Sequence, residues 1–437
     1  MEAQIDNLRA ALSWCLEPDA EKQAGGNETG LRLAGALRVF WDMHGYFSEG
    51  RRWLETAIER GGAAASPAVQ AKAFGALGPL IAYLGEHEAA TALLERSLAL
   101  HRQLGDNDEE GISLNNLGLV ALFQGHYPAA KALFQEGLRL RRQIDDKHGS
   151  AKTLNNLGQV AAEQGRLDEA RELYQESLTL HRRIGDKNGI AMSLNNLANL
   201  GYHQGDYETA KAVFEESLAL SRVIGHTRVI ASTLCNLGGV AHGLGDDQAA
   251  TAYLKESLML RRQIGETRGT ADTLNNLADI ALHQRDYTAA WKLYEESLTL
   301  RRRIGNKQNI AYSLHNLGEV ADGQGRTAEA DALFRESLTL MREIEDEYGI
   351  AFSLEGLASV AALSGRASAA ARLWGAAESL REANGTPRPA NTQEEYQSKV
   401  AAVRVSLGDA ALASVWAEGR TLTWKQAVSL ALGESAS

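Results

Sequence analysis

Residues 149–188 carry the stretch that decides the fold, GSAKTLNNLGQVAAEQGRLDEARELYQESLTLHRRIGDKN. Closely similar stretches follow one another along most of the chain at a spacing of 40 residues. One leucine position runs through them without a change of register, at Leu37, Leu77, Leu117, Leu157, Leu197, Leu237, Leu277, Leu317 and Leu357. A fixed period of roughly 20–50 residues is the signature of a solenoid, in which each repeat stacks on the next.

Each repeat predicts two amphipathic helices joined by a turn. In the first helix, Leu154, Leu157 and Val160 fall on one face at helical spacing. Gly165 and Gly185 follow the first and second helices, at positions where glycine commonly ends a helix. Stacked helical hairpins of this kind predict an all-α solenoid of about nine helix pairs, with helical caps at its ends.

The sizes of the side chains also repeat. One position of the second helix is always alanine, at Ala90, Ala130, Ala170, Ala210, Ala250, Ala290, Ala330 and Ala370. Four residues later the side chain is large, at Phe134, Tyr174, Phe214, Leu254, Tyr294, Phe334 and Trp374. The position after the LNNL motif is small, at Gly118, Gly158, Ala198, Gly238, Ala278, Gly318 and Ala358. Small residues allow close approach and large ones fill the adjacent space, so this pattern indicates packing.

These motifs resemble the tetratricopeptide repeat (TPR). The shared features are a small residue after leucine, glycine at the turn between helices, and then alanine, an aromatic residue and a further small residue. The usual period of that family is about 34 residues, so the period here indicates slightly longer helices. The resemblance covers about residues 31–384. It implies a right-handed superhelix whose first helices line a concave groove.

The pattern divides the chain into four segments. Residues 1–30 predict a capping helix and a polar linker, with the linker over 17–29. Residues 31–67 predict a divergent first repeat, and residues 68–384 predict the regular TPR array. Residues 385–437 depart from the repeat after a segment with two prolines and predict a C-terminal helical cap.

Within this cap, helices are predicted at 391–407, 409–418 and 423–432, with Thr423 as the N-cap of the last. Six of the seven tryptophans lie towards the ends of the chain, at Trp14, Trp41, Trp53, Trp374, Trp416 and Trp424. Two interpretations follow. The tryptophans form the core of the caps, or they form a docking surface for another domain.

The composition limits which partners and which cellular compartment are expected for this chain. The formal net charge is −11, which argues against nucleic acid or an anionic membrane as a direct partner. Cys15 and Cys235 lie in different repeats, so free thiols and a reducing compartment are expected. The sequence has no signal-peptide pattern and no apolar run of membrane-spanning length. The expected location is the cytoplasm.

The two ends carry a second resemblance. IDNLRAALSWCLE (5–17), GLRLAGALRVFW (30–41) and AARLWGAAESLREANGTPRP (370–389) look like the TPR sensor region of bacterial STAND regulatory ATPases of the NB-ARC type. The resemblance implies a sensor in a signalling or transcription-regulating system, with an NTPase domain or another partner at the Trp-rich ends. No G-x-x-x-x-G-K-[ST] motif occurs in this sequence, so ATP hydrolysis is not implied.

Asparagines of the LNNL motif are the main candidates for binding. By the TPR resemblance, its second asparagine faces the groove, at Asn116, Asn156, Asn196, Asn236, Asn276 and Asn316. A preceding asparagine stands beside it at Asn115, Asn155, Asn195 and Asn275. An amide offers two donors and an acceptor, so this row could pair with the backbone of an extended peptide. The alternative is that the amides bond neighbouring helices and set the geometry of the repeats.

Other groove positions change in character along the chain. Early ones are apolar and include Ile112, Leu119, Leu122, Phe123, Met192 and Tyr202. Later ones are acidic and include Asp272, Asp279, Glu319, Asp322 and Glu355. The hypothesis is a peptide or protein ligand with one apolar and one basic end. The alternative is a solvated acidic stretch without a ligand.

Patterns of catalysis are missing from the sequence. His203, His242 and His283 fall in different repeats without a metal-ligand spacing, so no metal site, cofactor or catalytic residue is predicted. Arginines and glutamates also recur at the repeat period, as at Arg142 and Glu136, and favour a ladder of ion pairs between repeats over the alternative of a polyanion site. The sequence therefore favours a non-catalytic module that binds proteins or peptides. The alternatives are a small-molecule sensor, which would need a closed pocket, and an assembly scaffold that uses its convex side or its ends.

Overall fold

The computed structural model describes residues 2–16, 23–384, 388 and 393–434. Within these residues the chain forms 23 helices and no strand, and consecutive helices pack in pairs, which confirms the all-α TPR solenoid. The chain divides into two compact units, residues 1–276 and 277–437, with the boundary inside one helix. Each unit is described by itself.

The first unit begins with a short N-terminal group of helices. These are α1 (Glu2–Cys15), α2 (Gln23–Ala36), α3 (Arg38–His44) and α4 (Phe47–Gly61). Five regular pairs follow: α5 (Pro67–Tyr83) and α6 (His87–Leu104), α7 (Asn107–Phe123) and α8 (Tyr127–Gln143), α9 (Lys147–Glu163) and α10 (Leu167–Ile184), α11 (Lys187–His203) and α12 (Tyr207–Ile224), and α13 (Thr227–Gly243) and α14 (Asp247–Ile264). Helix α15 (Thr267–His283) contains the boundary.

The second unit continues the same alternation and then departs from it. Its helices are α16 (Tyr287–Ile304), α17 (Lys307–Gly323), α18 (Thr327–Glu343), α19 (Glu347–Leu363), α20 (Ala367–Ala383), α21 (Gln393–Leu407), α22 (Asp409–Arg420) and α23 (Trp424–Leu432). The last three match the helices predicted for the C-terminal cap. Thr423 caps α23 with a reciprocal bond to Gln426, as its sequence predicts.

The helix pairs stack in a regular way within each unit. Each second helix packs against the first helix of its own repeat and against the first helix of the next. First helices of neighbouring repeats also contact one another directly, as α7 and α9 do. Because the first helices approach one another more closely than the second helices do, they form the inner face of each stack.

The alternation of small and large side chains in the sequence corresponds to direct contacts between helices in the interior. Phe134 and Tyr174 are almost fully buried, and each ring lies against a glycine of the preceding helix. A Cβ atom added at Gly118 would lie 2.6 Å from the ring of Phe134, and one at Gly158 would lie 2.6 Å from Tyr174. Only a small residue therefore fits opposite the large one, which explains why this position is glycine or alanine in every regular repeat.

A buried serine joins three helices in most repeats. The Ser177 hydroxyl donates to the carbonyl oxygen of Ala151 at 2.8 Å and lies 3.2 Å from the hydroxyl of Ser193. It thereby links α10 to the first helix of its own repeat and to that of the next. The corresponding serines are Ser97, Ser217, Ser257 and Ser337. Hydroxyl groups satisfied in this way fix the stacking of the helices without an unpaired buried polar atom.

The predicted ion pairs between repeats are confirmed. Arg142 donates to Glu176 at 2.9 Å, across a separation of 34 residues. The same pair forms between Arg102 and Glu136, Arg222 and Glu256, and Arg302 and Glu336. These side chains are about half exposed, so each pair contributes no more than about 1 kcal/mol.

The N-terminal region differs from its sequence-based expectation. Residues 23–29, expected in the linker, belong to α2, while 17–22 lie outside the described residues. Helix α2 packs against α4, where Asn27 donates to the carbonyl oxygen of Arg60 at 3.2 Å. This tertiary contact overrides the low helical tendency of its glycines. Arg9 of α1 is bidentate to Glu49 of α4, at 2.7 Å for both contacts.

The tryptophans serve mainly as core. Trp41 and Trp374 are almost fully buried in their units, which supports the core interpretation for these two. Trp416 packs near Trp374 and donates to Glu378 at 2.7 Å. Trp14 is the exception, since 57% of it is exposed. Docking of another domain at this end remains a prediction.

Two glycines allow α20 and α22 to cross. A Cβ atom at Gly375 would collide with the carbonyl oxygen of Trp416, and one at Gly419 would collide with that of Arg372. Both obstacles are backbone atoms, so the helices would have to separate. We expect Gly375→Ala to destabilise this end of the second unit by about 1–3 kcal/mol, measured by thermal unfolding with tryptophan fluorescence.

Gly35→Ala is the matched control for this prediction. Gly35 also lies within a helix, but an added Cβ there would meet nothing within 4 Å. This substitution should be neutral or slightly stabilising, because alanine has the higher helix propensity. Equal stability of the two variants would show that the crossing of α20 and α22 is not as close as described.

Candidate functional site

The LNNL asparagines form a ladder along the inner face of the first unit. The side-chain amide of Asn156 donates to the side-chain oxygen of Asn115, one repeat earlier, at 2.9 Å. The same bond joins Asn196 to Asn155 at 3.2 Å and Asn236 to Asn195 at 3.3 Å. The second asparagine of each motif thus holds the first asparagine of the preceding one. This geometry agrees with the second interpretation of these asparagines, in which their amides bond neighbouring helices and set the geometry of the repeats.

At the two ends of the ladder, the asparagines contact groups other than asparagine. Asn116 donates to the carbonyl oxygen of Gly75 at 3.5 Å, and Asn276 lies 3.4 Å from the sulfur of Cys235. Asn275 and Asn316 occupy equivalent positions and are half-buried. Several ladder members are also only half-buried, including Asn115, Asn196 and Asn236. Their role in binding a ligand remains a prediction.

Most of the apolar candidates lie at the inner surface. Ile112, Leu119, Met192 and Tyr202 are half-buried on the first helices, as surface-lining residues would be. Leu122 differs, because it is 1% exposed and belongs to the core formed by α7, α8 and α9. The prediction that Leu122 lines the groove is therefore wrong.

Early and late repeats of the first unit touch each other, and we call this region the closure contact. Its early side consists of residues 42–48, 83–87 and 123. Its late side consists of residues 226–228 and 264–268. The Thr267 hydroxyl donates to the carbonyl oxygen of Leu84 at 2.9 Å, although 183 residues separate them. Arg228 lies 3.5 Å from the carboxylate of Asp42, and its guanidinium is 4.8 Å from the Tyr83 ring centroid. The first unit therefore curls until its early and late first helices touch.

A second arginine extends the closure contact. The guanidinium of Arg268 lies 5.2 Å from the ring centroid of Phe123 and donates to Glu163 at 3.1 Å. Arg228 and Arg268 hold equivalent positions in α13 and α15, one repeat apart. Two arginines on aromatic rings, each with a carboxylate partner, therefore join the late repeats to the early ones.

Two histidines are buried in this contact. Burial, together with the nearby charge of Arg268, lowers the pKa of His87 to about 4. Burial and the charge of Arg228 lower the pKa of His226 to about 4, despite the opposing charge of Asp42. Both imidazoles are therefore neutral at pH 7, and each would oppose the closure contact if it became protonated.

The acidic positions of the second unit are covered by the chain's own C-terminal segment. Lys399 of α21 lies 3.0 Å from the carboxylate of Asp322. Glu355 accepts bonds from two arginines, Arg381 at 2.7 Å and Arg388 at 2.6 Å. Arg388 also stacks 3.5 Å from the ring centroid of Tyr396. Basic side chains of the C-terminal segment thus occupy this part of the inner face, and no sequence pattern indicated that they would come from the same chain.

The other acidic candidates have local partners. Asp279 accepts a hydrogen bond of 2.5 Å from the Tyr294 hydroxyl, and burial together with this carboxylate raises the pKa of that tyrosine. Glu319 lies 3.6 Å from His315 and keeps about half of its side chain exposed. Desolvation opposes its ionisation, but His315 and the charge of Lys399 outweigh it and lower the pKa of Glu319. Glu319 is therefore an ionised carboxylate within reach of solvent.

Two clefts elsewhere do not include the predicted site residues. One, of about 800 Å³, lies between α8, α9 and α10 and is lined by Arg139, Leu154 and Leu173. The other, of about 210 Å³, lies beside α23. Among the described residues, no single helix is long and apolar enough to cross a membrane, although the bent pair of α21 and α22 meets the length and composition criteria together.

Comparisons with known proteins fit this architecture. A family model for the tetratricopeptide repeat matches residues 70–143, 149–222, 189–263 and 269–343. A Rap protein crystallised in complex with Competence and Sporulation Factor is similar in fold, with a TM-score of 0.52 and 12% sequence identity over 74% of this chain and 96% of that chain. No curated protein matches the sequence.

Two further solved structures have lower TM-scores. The apo form of RapI has a TM-score of 0.48 and 15% identity, over 61% of this chain and 98% of that chain. A STAND protein with a tetratricopeptide repeat sensor from Pyrococcus horikoshii has a TM-score of 0.46 and 14% identity, over 72% of this chain and 50% of that chain. Because the family model matches well over half of the sequence in successive repeats, this chain belongs to the tetratricopeptide repeat family.

Proposed function

We propose that this chain is a non-catalytic recognition module that binds a protein or peptide segment on the inner face of its first helices. It would serve as the sensor or scaffold part of a bacterial signalling or transcription-regulating system in the cytoplasm. One observation carries the proposal: the inner face of the second unit already holds a segment through its basic side chains, by Asp322 with Lys399 and Glu355 with Arg388. A surface that binds such a segment in cis has the chemistry to bind one in trans.

The first unit offers the matching surface for an external partner. Ile112, Met192 and Tyr202 provide half-buried apolar area beside the asparagine ladder. The ladder bond uses one N–H of Asn156, and a side-chain amide carries two. The row of amides can therefore hold the repeats together and still donate to the backbone of a bound segment. The Rap protein of similar fold, crystallised with Competence and Sporulation Factor, supports this use of the architecture.

In the second unit, a partner would have to compete with the chain itself. Arg388 and Lys399 occupy the carboxylates that a basic ligand would need. Glu319 remains half exposed beside them and would attract an approaching cation. Binding in this part would therefore accompany displacement of α21, whereas binding in the first unit would not.

The test compares partner capture by the intact chain and by two triple variants. Alanine at Met192, Asn196 and Tyr202 changes the inner face of the first unit, and alanine at Arg182, Glu215 and Val223 changes exposed positions of second helices. We expect the inner-face variant to lose at least about 90% of the captured partner, equivalent to a tenfold weaker affinity. The control variant should retain it.

Circular dichroism would verify that both variants fold. Capture by the inner-face variant at the level of the intact chain would reject the proposal. Loss in the control variant alone would instead place the interaction on the outer surface, as a scaffold would have it.

A further inference from the structure

Three metal-binding side chains meet where α9, α10 and α11 join. They are His148 in the first turn of α9, His181 in the last turn of α10 and Asp186 immediately before α11. The Nδ1 atoms of His148 and His181 lie 3.2 Å and 3.0 Å from the same carboxylate oxygen, Oδ2 of Asp186. All three donor atoms lie within 4.8 Å of one another.

The hydrogen-bond geometry of this cluster is unsatisfied. Nδ1 of His181 and Oδ2 of Asp186 are both buried and have no hydrogen-bond partner, although they are close enough for one. The two atoms are therefore in contact without the alignment that a hydrogen bond requires. Only 2% of the His181 side chain is exposed, so water does not compensate. An orphaned buried donor and acceptor side by side need an explanation.

The equivalent position in an earlier repeat also holds a histidine, His101, whose Nδ1 is likewise buried without a hydrogen-bond partner, but Asp108 stands where the cluster has His148. Other repeats have an arginine at this position. Arg141 donates directly to Asp146 at 2.5 Å, and Arg261 donates to Glu266 at 3.2 Å. Those are ordinary ion pairs between the end of one second helix and the start of the next first helix. An imidazole replaces the arginine at residue 181, and a second imidazole, from His148, faces the same carboxylate. The change replaces a guanidinium by two imidazoles.

The backbone holds the three donors in place. Oδ1 of Asp186 accepts from the backbone N–H groups of Asn188 and Gly189, both at 3.1 Å, which leaves Oδ2 directed at the histidines. A Cβ atom at residue 189 would collide with the ring of His181, so Gly189 makes room for it.

We propose that His148, His181 and Asp186 bind a divalent transition-metal ion, with Zn²⁺ as the best match. Zinc takes histidine nitrogen and carboxylate oxygen at about 2.0–2.2 Å, which in a tetrahedron separates neighbouring donors by about 3.3 Å. The observed separations of 3.0 and 3.2 Å agree with that spacing. About half of His148 is exposed, so the ion could enter from solvent and keep a water ligand.

Such an ion would tie three helices of two adjacent repeats together. The sequence predicts no metal site because its donors come from three separate elements rather than from an H-x-x-x-H spacing within one. A bound ion would replace a poorly matched set of polar contacts by coordinate bonds. It would therefore stabilise the junction of α9, α10 and α11 only when metal is present.

The experiment titrates the full chain, without a histidine tag, with Zn²⁺ in competition with a chromophoric chelator, and with Co²⁺ monitored by visible absorption. We expect one tight site per chain and a Co²⁺ spectrum of a four- or five-coordinate ion. His148→Ala removes an exposed ligand and should weaken binding at least about tenfold. His181→Arg installs the residue found at the equivalent positions Arg141 and Arg261, so it should preserve the fold. It should abolish the site, because arginine cannot donate a lone pair.

His126→Ala is the control, since His126 is exposed at the start of α8 and outside the cluster. It should bind both ions as the unchanged chain does. No binding by the unchanged chain would overturn the proposal. Binding of equal affinity and stoichiometry in His148→Ala and His181→Arg would also overturn it, by locating the ion elsewhere.

Discussion

Replacing Glu355 with alanine should lower the free energy of unfolding of the second unit by about 3–5 kcal/mol. The side chain accepts bidentate bonds from Arg381 and further bonds from Arg388. Only 7% of the Arg381 side chain is exposed, so removing the carboxylate takes a bidentate acceptor away from a buried cation. Hydrogen exchange of α19 and α20 in the full chain would measure the change directly.

The same substitution should release the C-terminal segment from the inner face. Arg388 loses its carboxylate, while Lys399 still pairs with Asp322 and α21 keeps its apolar contacts, so the loosening should be confined to residue 388 and α21. Faster exchange in α21 is therefore expected, together with faster proteolysis after residue 384. If the segment competes with an external partner, this variant should also bind that partner more tightly.

Two further variants separate charge from packing. Glu355→Asn combined with Arg381→Met installs the residues found at equivalent positions elsewhere, as at Asn155 and Met341. This double variant should be far less destabilised than Glu355→Ala, because both buried charges are removed together. Glu336→Ala, at a half-exposed ion pair, should change stability by less than about 1 kcal/mol. Equal losses in all three variants would contradict the role given to Glu355.

The contacts that could be predicted from the sequence are the periodic ones. Gly118 against Phe134, and Arg142 with Glu176, recur at fixed separations in successive repeats. A contact between neighbouring repeats imposes the same requirement each time, so the residues that satisfy it recur as well. The fold and its internal ion pairs therefore follow from the repeat pattern.

Contacts between distant parts of the chain leave no such pattern. Thr267 meets Leu84 once, and Lys399 meets Asp322 once, so no repetition marks either pair. The acidic positions are met by basic side chains of the same chain, and binding of an external basic ligand there remains a prediction. Charge complementarity specifies the chemistry of a partner but not the chain that supplies it, and residues 385–437 carry no repeat from which their position could be inferred.

The asparagine ladder shows a different limit. A half-buried row of amides on first helices is compatible with binding a peptide and with joining the repeats, since the side chain has enough donors and acceptors for both. The bond from Asn156 to Asn115 establishes the structural role. The sequence does not distinguish the two because each would place asparagine at the same position.

Acidification from pH 7 to pH 5 should destabilise the first unit by about 2 kcal/mol for each of His87 and His226. Both folded-state pKa values lie at about 4, below the ordinary value of 6.5. Protons therefore bind more readily to the unfolded chain. The stability is complete above about pH 6.5 and falls as the pH decreases towards 4, by about 1.36 kcal/mol per pH unit for each group. Hydrogen exchange of α5 and α13 at several pH values would measure it.

The variant His87→Leu with His226→Asn tests the assignment, because equivalent positions carry Leu167 and Asn306. Neither substitute titrates, so the loss of stability between pH 7 and pH 5 should become much smaller. The measurement should stay between pH 7 and pH 5. Ordinary carboxylates protonate mainly below pH 5, and their effect on stability would there obscure that of the histidines. The same slope in the variant and the unchanged chain would assign the pH dependence to other groups. A smaller slope would locate it in the closure contact, where protonated imidazoles would face Arg228 and Arg268.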